Sequence, residues 1–202
     1  MASALHRLVL GLVLLLAVAS CGGEEAYVPA GIIRTPAPDV STVLLPDVTN
    51  GVDVPAVAAQ DGLLILYFGY TYCPDVCPTT MSVLRRAIRD LGDDGDRIEV
   101  AMVTVDPDRD TPEVLTSYVH AFAPDGFAVR TTDPERLAAL ADPFGVVYSV
   151  VVQEDGWVDV SHTGFLYAVD DEGILRLSWP FGIDSESVYK DMRALLEEYD
   201  DA

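Results

Sequence analysis

Lysine is almost missing from this 202-residue chain: Lys190 stands alone beside eleven arginines, against 33 aspartates and glutamates, for a net charge of −21. A nucleic-acid partner is excluded on that ground, because so few cations cannot neutralise a run of phosphates. Cysteine and histidine are equally scarce, at three residues each. Long hydrophobic runs are lacking too. The stretch from Leu8 to Val18 falls well short of the roughly 20 residues a spanning helix needs. No internal repeat is visible, so a repeat array is not expected.

What the N-terminus does carry is a processing pattern. His6 and Arg7 precede the apolar run, and small residues lead into Leu16-Ala17-Val18-Ala19-Ser20-Cys21. A positive region, a hydrophobic region and a small-residue cleavage site make a secretory signal. The last six residues resemble a bacterial lipobox, which implies a signal peptide over 1–20 and lipidation of Cys21. Residues 21–38 turn to Gly, Pro and small side chains and read as a lipidated cysteine followed by a flexible tether. The folded domain is expected over 39–202, at the extracytoplasmic face of the membrane. That length suits one domain with a full core.

Lipidation of Cys21 leaves Cys73 and Cys77, in Tyr70-Thr71-Tyr72-Cys73-Pro74-Asp75-Val76-Cys77-Pro78. An apolar run ends just before them and a helical pattern follows, so the thiols are expected at a strand-to-helix junction. Unpaired N–H groups and the helix dipole favour thiolate there, and residues i and i+4 share a helix face. Two chemistries follow: a reversible disulfide, or a soft metal such as Cu(I) or Zn(II). A purely structural bridge is less suitable, since so short a loop gains only about 2 kcal/mol.

The remaining pattern alternates strand and helix. Val43–Leu45 and Val52–Val54 flank Thr49-Asn50-Gly51 as a hairpin. Leu63–Phe68 and Ile98–Val105 read as strands buried on both faces. Between them Leu84, Ala87, Ile88 and Leu91 mark a helix. Thr111-Pro112-Glu113 and Asp133-Pro134-Glu135 read as helix starts with a cap residue and a first-turn proline. Strands are expected at Val146–Val152, Trp157–Val160, Phe165–Val169 and Ile174–Trp179, and a closing helix over Ser185–Tyr199. This is an α/β, thioredoxin-like arrangement decorated by an N-terminal hairpin and an inserted helix and hairpin.

Three segments then carry a family resemblance. Phe68 to Pro78, Val103-Thr104-Val105-Asp106-Pro107-Asp108-Arg109-Asp110-Thr111-Pro112, and Ser161-His162-Thr163 closely resemble the Sco/SenC family in order and spacing, over about Val40 to Leu196. The resemblance implies a membrane-tethered thioredoxin-like protein that binds copper through Cys73, Cys77 and His162 and helps build the CuA centre of cytochrome c oxidase. The implied partner is oxidase subunit II or another extracytoplasmic copper protein. His162 is expected at the start of a strand after the hairpin, where thioredoxins place a cis-proline; no proline lies between Gly145 and Trp179. Thr163-Gly164-Phe165 is looser than the family's usual sequence.

Two thiolates and an imidazole suit Cu(I), and Cu(II) with added ligands. Zinc suits the set less, for want of a fourth protein ligand. The enzymatic alternative is a thiol-disulfide oxidoreductase that uses Cys73 and Cys77 as a redox pair on the oxidase cysteines. A peroxidase fits poorly, because the threonine and proline its loop needs are replaced by Pro74 and Tyr70. Of the remaining residues, His120 reads as solvated. Asp106, Asp108 and Asp110 read as loop and cap chemistry, with Asp106 the candidate for ordering the site.

Overall fold

The apolar run Leu63–Gly69 (β3) is buried at every position, and its alternate side chains feed two cores. Leu63, Ile65 and Tyr67 pack with Leu84 and Met192 on one face. Leu64, Leu66 and Phe68 pack with Leu140, Phe144 and Tyr167 on the other. A strand covered on both sides has no use for alternating polarity, which is why the run is continuous. In the computed structural model, which describes residues 27–201, β3 is the hub of a seven-stranded sheet.

The other strands of that sheet are β1 (Leu44–Asp47), β2 (Val52–Pro55), β4 (Ile98–Thr104), β5 (Phe127–Val129), β8 (Leu166–Val169) and β9 (Leu175–Trp179), in the order β2-β1-β5-β4-β3-β8-β9. β3 runs parallel to β4 and antiparallel to β8. Two more strands, β6 (Tyr148–Val152) and β7 (Val158–His162), form a separate two-stranded sheet. The helices are α1 (Val76–Asp90), α2 (Pro112–Phe122), α3 (Pro134–Ala141) and α4 (Ser185–Asp200). A parallel β3–β4 pair with α1 as its crossover, followed by the antiparallel β8–β9 pair and the closing helix α4, is the thioredoxin-like α/β arrangement.

Local chemistry explains most boundaries. The Thr111 hydroxyl accepts from Val114 N–H, and the Asp133 carboxylate accepts from Glu135 and Arg136 N–H, each ahead of a first-turn proline. The turn between β1 and β2 is held by the Asp47 carboxylate, which accepts from Thr49 N–H, Asn50 N–H and the Asn50 amide. Gly51 there takes φ 74°, a conformation that costs glycine nothing.

Three features differ from the sequence expectation. β5 leaves no signal in the sequence, because three residues are too few to show a period. β7 begins and ends later than expected, so His162 is the last residue of β7, paired with Tyr148, rather than the first of a following strand. Residues 27–38, assigned to the tether, lie against the domain. Ile32 exchanges backbone hydrogen bonds with Ser178 of β9, and the buried Asp191 carboxylate accepts from Ala30 N–H, Gly31 N–H, the Tyr27 hydroxyl and the Trp179 indole. Cys21 and the 1–20 segment lie outside the described residues. Among the described residues, no helix is long and apolar enough to cross a membrane.

Candidate metal centre

β3 ends at Gly69, and the chain turns through Tyr70-Thr71-Tyr72 before α1 begins. Two ties hold this loop. Gly69 C=O accepts from Val105 N–H, which ties the loop's start to the residue after β4. A Cβ on Gly69 would come within 3.1 Å of Cys77 Sγ and 2.6 Å of the Tyr67 ring, so glycine is what leaves room for the thiol. The fully buried Asp110 carboxylate accepts from Thr71 N–H, the Thr71 hydroxyl and the Thr104 hydroxyl.

Asp110, not Asp106, is therefore the acidic residue that binds the cysteine loop directly. Asp106 acts at one remove. It pairs with Arg109, whose guanidinium lies over the rings of Tyr70 and Tyr72, 5.9 and 5.0 Å from their centroids. Local spacing could not separate the two aspartates, because what distinguishes them is a contact across 39 residues of chain.

Helix α1 lacks a side-chain cap from Asp75. The cap is sulfur: Cys73 Sγ accepts from Cys77 N–H at 3.3 Å, at the positive end of the helix. Pro78 in the first turn gives up only an N–H that had no intrahelical partner. Both cysteines are free thiols, with Cys77 fully buried and Cys73 barely exposed.

Their environments pull them apart. Burial pushes the Cys73 thiol up, but hydrogen bonds from the backbone of Cys77 and Asp75 and from the Cys77 and Tyr70 side chains outweigh it. The result lies below the ordinary thiol value. Burial pushes Cys77 up to about 12, against the opposing pull of the nearby Tyr67 hydroxyl and the Tyr70 backbone. The buried Tyr67 hydroxyl has no partner at hydrogen-bond geometry, and Cys77 and Thr80 stand beside it.

The imidazole comes from β7. Its last residue, His162, places Nε2 3.6 Å from Cys77 Sγ. His162 Nδ1 lies 3.1 Å from the Thr163 carbonyl. A carbonyl only accepts, so Nδ1 carries the proton and Nε2 presents its lone pair towards the thiols. Burial holds the imidazole below its usual value, against the opposing pull of the Thr163 carbonyl. Tyr67 and Tyr70 meet the ring edge-on, at 6.0 and 5.9 Å between centroids.

Thr163 fixes the turn that follows, exchanging hydrogen bonds with the Val147 backbone through its own N–H and its hydroxyl. The residues after the histidine are thus anchored at Thr163. Among the described residues, no three His, Cys, Asp or Glu side chains stand close enough to enclose a metal ion as they are. Cys77 and His162 touch, Cys73 caps the helix beside them, and the trio has to close further to surround an ion. The other described histidine, His120, is exposed and contacts the Gly126 carbonyl, remote from the thiols.

A model of the SCO1/SenC family matches residues 47–197. A SCO2-like protein of Rickettsia prowazekii is 35% identical over 113 residues, covering 55% of each chain. The matched part thus spans about half the length of such curated relatives. An apo Sco1 protein of Thermus thermophilus is similar over 84% of this chain and 98% of its own, with 33% identity and a TM-score of 0.73. A ScoI of Bradyrhizobium japonicum with copper bound is similar over 76% and 96%, with 29% identity and a TM-score of 0.65.

Proposed function

The chain belongs to the SCO1/SenC family, and from that premise we propose that it carries copper on the extracytoplasmic side of a membrane. The ion is held by Cys73, Cys77 and His162, and is delivered to, or used to mature, the CuA centre of cytochrome c oxidase, through subunit II or another extracytoplasmic copper protein. One observation carries this reading: His162 Nε2, freed by the hydrogen bond at Nδ1, faces the Cys77 sulfur at 3.6 Å. The copper-bound relative supports the choice of metal.

The donor set suits copper as cargo. Two sulfurs and one imidazole match Cu(I), and a set of three leaves an open side where an acceptor's ligands can enter. Cys77 has no exposed surface, so exchange proceeds from the Cys73 and His162 side. The unpartnered Tyr67 hydroxyl beside Cys77 is placed to donate to a metal-bound thiolate, which would otherwise lack a partner.

Titrating the reduced domain with Cu(I) and Cu(II), with free thiols counted afterwards, tests the assignment. His162→Ala is expected to weaken Cu(II) binding most, since the two remaining thiolates are oxidised by that ion. Cys73→Ala or Cys77→Ala is expected to abolish binding. An unchanged Cu(II) spectrum and affinity in His162→Ala would remove the histidine from the site.

The divergent thiols favour a second reading, reduction of a partner's disulfide. Cys73 thiolate attacks one partner sulfur, forming a mixed disulfide and releasing the other as thiolate. Cys77 then loses its proton and attacks Cys73 Sγ, so the Cys73–Cys77 disulfide forms and the partner leaves as a dithiol, two electrons richer. Alkylation against pH tests this asymmetry. Cys73 should reach half its full rate below the ordinary thiol pKa, while Cys77 stays inert until far higher pH; equal profiles would sink the reading.

The tether belongs to the same proposal: Cys21, lipidated after cleavage behind Ser20, holds the domain at the membrane. Cys21→Ala should abolish membrane fractionation and leave the fold unchanged. A mature protein that still begins at Met1 would overturn it.

A further inference from the structure

The β6–β7 hairpin is more than a support for His162. Opposed residues of an antiparallel pair share a face, so Tyr148/His162, Val150/Val160 and Val152/Val158 make one ladder running from the imidazole to the hairpin's far end. Tyr148 and Val160 pack against the domain core. Beyond them both faces of the hairpin stand free. On the ladder face Val150 and Val152 are exposed, Val152 at 69%. Side chains alternate along a strand, so Val151 and Trp157, also exposed and Trp157 at 69%, lie on the opposite face at the same outer end. An isolated two-stranded sheet is marginal in water, and exposed apolar side chains gathered at its tip mark an interaction surface.

Charge selects the occupant. No lysine or arginine occurs from residue 137 to residue 175, while Glu154, Asp155 and Asp159 flank the apolar side chains and are exposed. A second copy of this chain would bring another −21 charges to the contact. An anionic lipid surface would be repelled in the same way. The complement is a protein surface with an apolar centre and a rim of Lys and Arg.

We propose that the outer half of the β6–β7 hairpin docks the copper-receiving protein through such a basic-rimmed apolar patch, and so brings the acceptor's ligands to the His162 side of the thiols. This rests on the copper-carrier reading above. Because the ladder ends at His162, a partner seated on it is aligned with the open side of the site rather than with the buried Cys77.

The test uses the reduced, Cu(I)-loaded domain and a soluble, reduced CuA-type domain as acceptor, with a small Cu(I) chelator as control. Trp157→Ser and Val152→Ser, alone and together, should slow transfer to the protein by ten-fold or more, well beyond any change in copper affinity or in the rate of loss to the chelator. Glu154→Lys with Asp155→Lys, which spares every apolar side chain, should also slow transfer and weaken its dependence on salt.

Undiminished transfer in all these variants would overturn the proposal while leaving the carrier reading intact. Failure of the wild-type domain to transfer copper at all would overturn the carrier reading and the proposal with it. Self-association or binding to phosphatidylglycerol vesicles that is lost in Trp157→Ser, with transfer unaffected, would give the surface to a different occupant and overturn the proposal.

Discussion

β3 and the β6–β7 hairpin meet at the contact between Cys77 and His162, yet they are supported in opposite ways. β3 is covered on both faces and paired on both edges, to β4 and β8. The hairpin is paired only within itself, and most of its residues are exposed or half-buried. The thiol half of the site is thus built into the most cooperative part of the fold, and the imidazole half onto the least. Local opening draws on such weakly packed units. For the proposed copper site, the difference teaches that gaining or releasing the ion would cost least when the histidine moves and the cysteines stay.

The comparison breaks most severely if the β3 side is not the rigid one. Phe68 is fully buried, with the rings of Phe144 and Tyr167 5.5 and 6.0 Å away. Phe68→Ala should destabilise the domain by about 4 kcal/mol, read as a lower denaturant midpoint with an unchanged slope. A loss below about 1 kcal/mol would show that β3 is not the cooperative centre.

Next in size is the cysteine loop's tie to that centre. Asp110→Ala leaves Thr71 N–H and two hydroxyls without their charged acceptor, at a cost of about 3 kcal/mol. Copper affinity should fall with it, because the loop carrying Cys73 loses its anchor. Asp106→Ala should cost less, as it frees only Arg109 from its carboxylate. Equal effects of the two substitutions would restore the aspartates to the same role.

How much of this was legible beforehand follows the same division. β3, β4, the caps at Thr111 and Asp133, and the closing helix declare themselves, since burial on two faces and helix-start chemistry are local properties of sequence. The cysteine pair and the histidine segment were legible through their resemblance to a family. What escaped depends on contacts distant in sequence. Asp191 clamps Tyr27 and Gly31 across 160 residues or more. Asp110 reaches Thr71, and Gly69 makes room for a thiol on the next helix. The end of β7 escaped for another reason. A hairpin with exposed valines on both faces gives no clean alternation, so its register, and the place of His162 in it, cannot be read from polarity.

On the hairpin side the effects on stability should be small and those on metal large. His162→Ala removes edge-on contacts with Tyr67 and Tyr70, worth about 1 kcal/mol, and leaves β3 untouched. The unfolding midpoint should shift slightly while Cu(II) binding collapses. A loss of stability matching that of Phe68→Ala would mean that the imidazole belongs to the core, and the division would fail.

The smallest expected effect gives the sharpest version of the comparison. Gly156 sits in the turn between β6 and β7 at φ 84°, with open space around it. Gly156→Ala therefore meets no clash, and its penalty is that of left-handed backbone alone, about 1 kcal/mol. If the hairpin opens as a unit of its own, that penalty falls on its local equilibrium and not on global unfolding, whose midpoint should move by no more than a few tenths of a kcal/mol. Copper affinity reports the local term. The turn lies at the far end of the ladder from His162, so strain there lowers the fraction of molecules holding the imidazole against Cys77, and affinity should weaken by up to about five-fold. Hydrogen exchange should speed up at the amides of β6 and β7 and stay unchanged in β3. If instead the global midpoint falls by the full penalty and exchange rises everywhere, the hairpin and the sheet unfold together. The histidine would then be held as firmly as the cysteines.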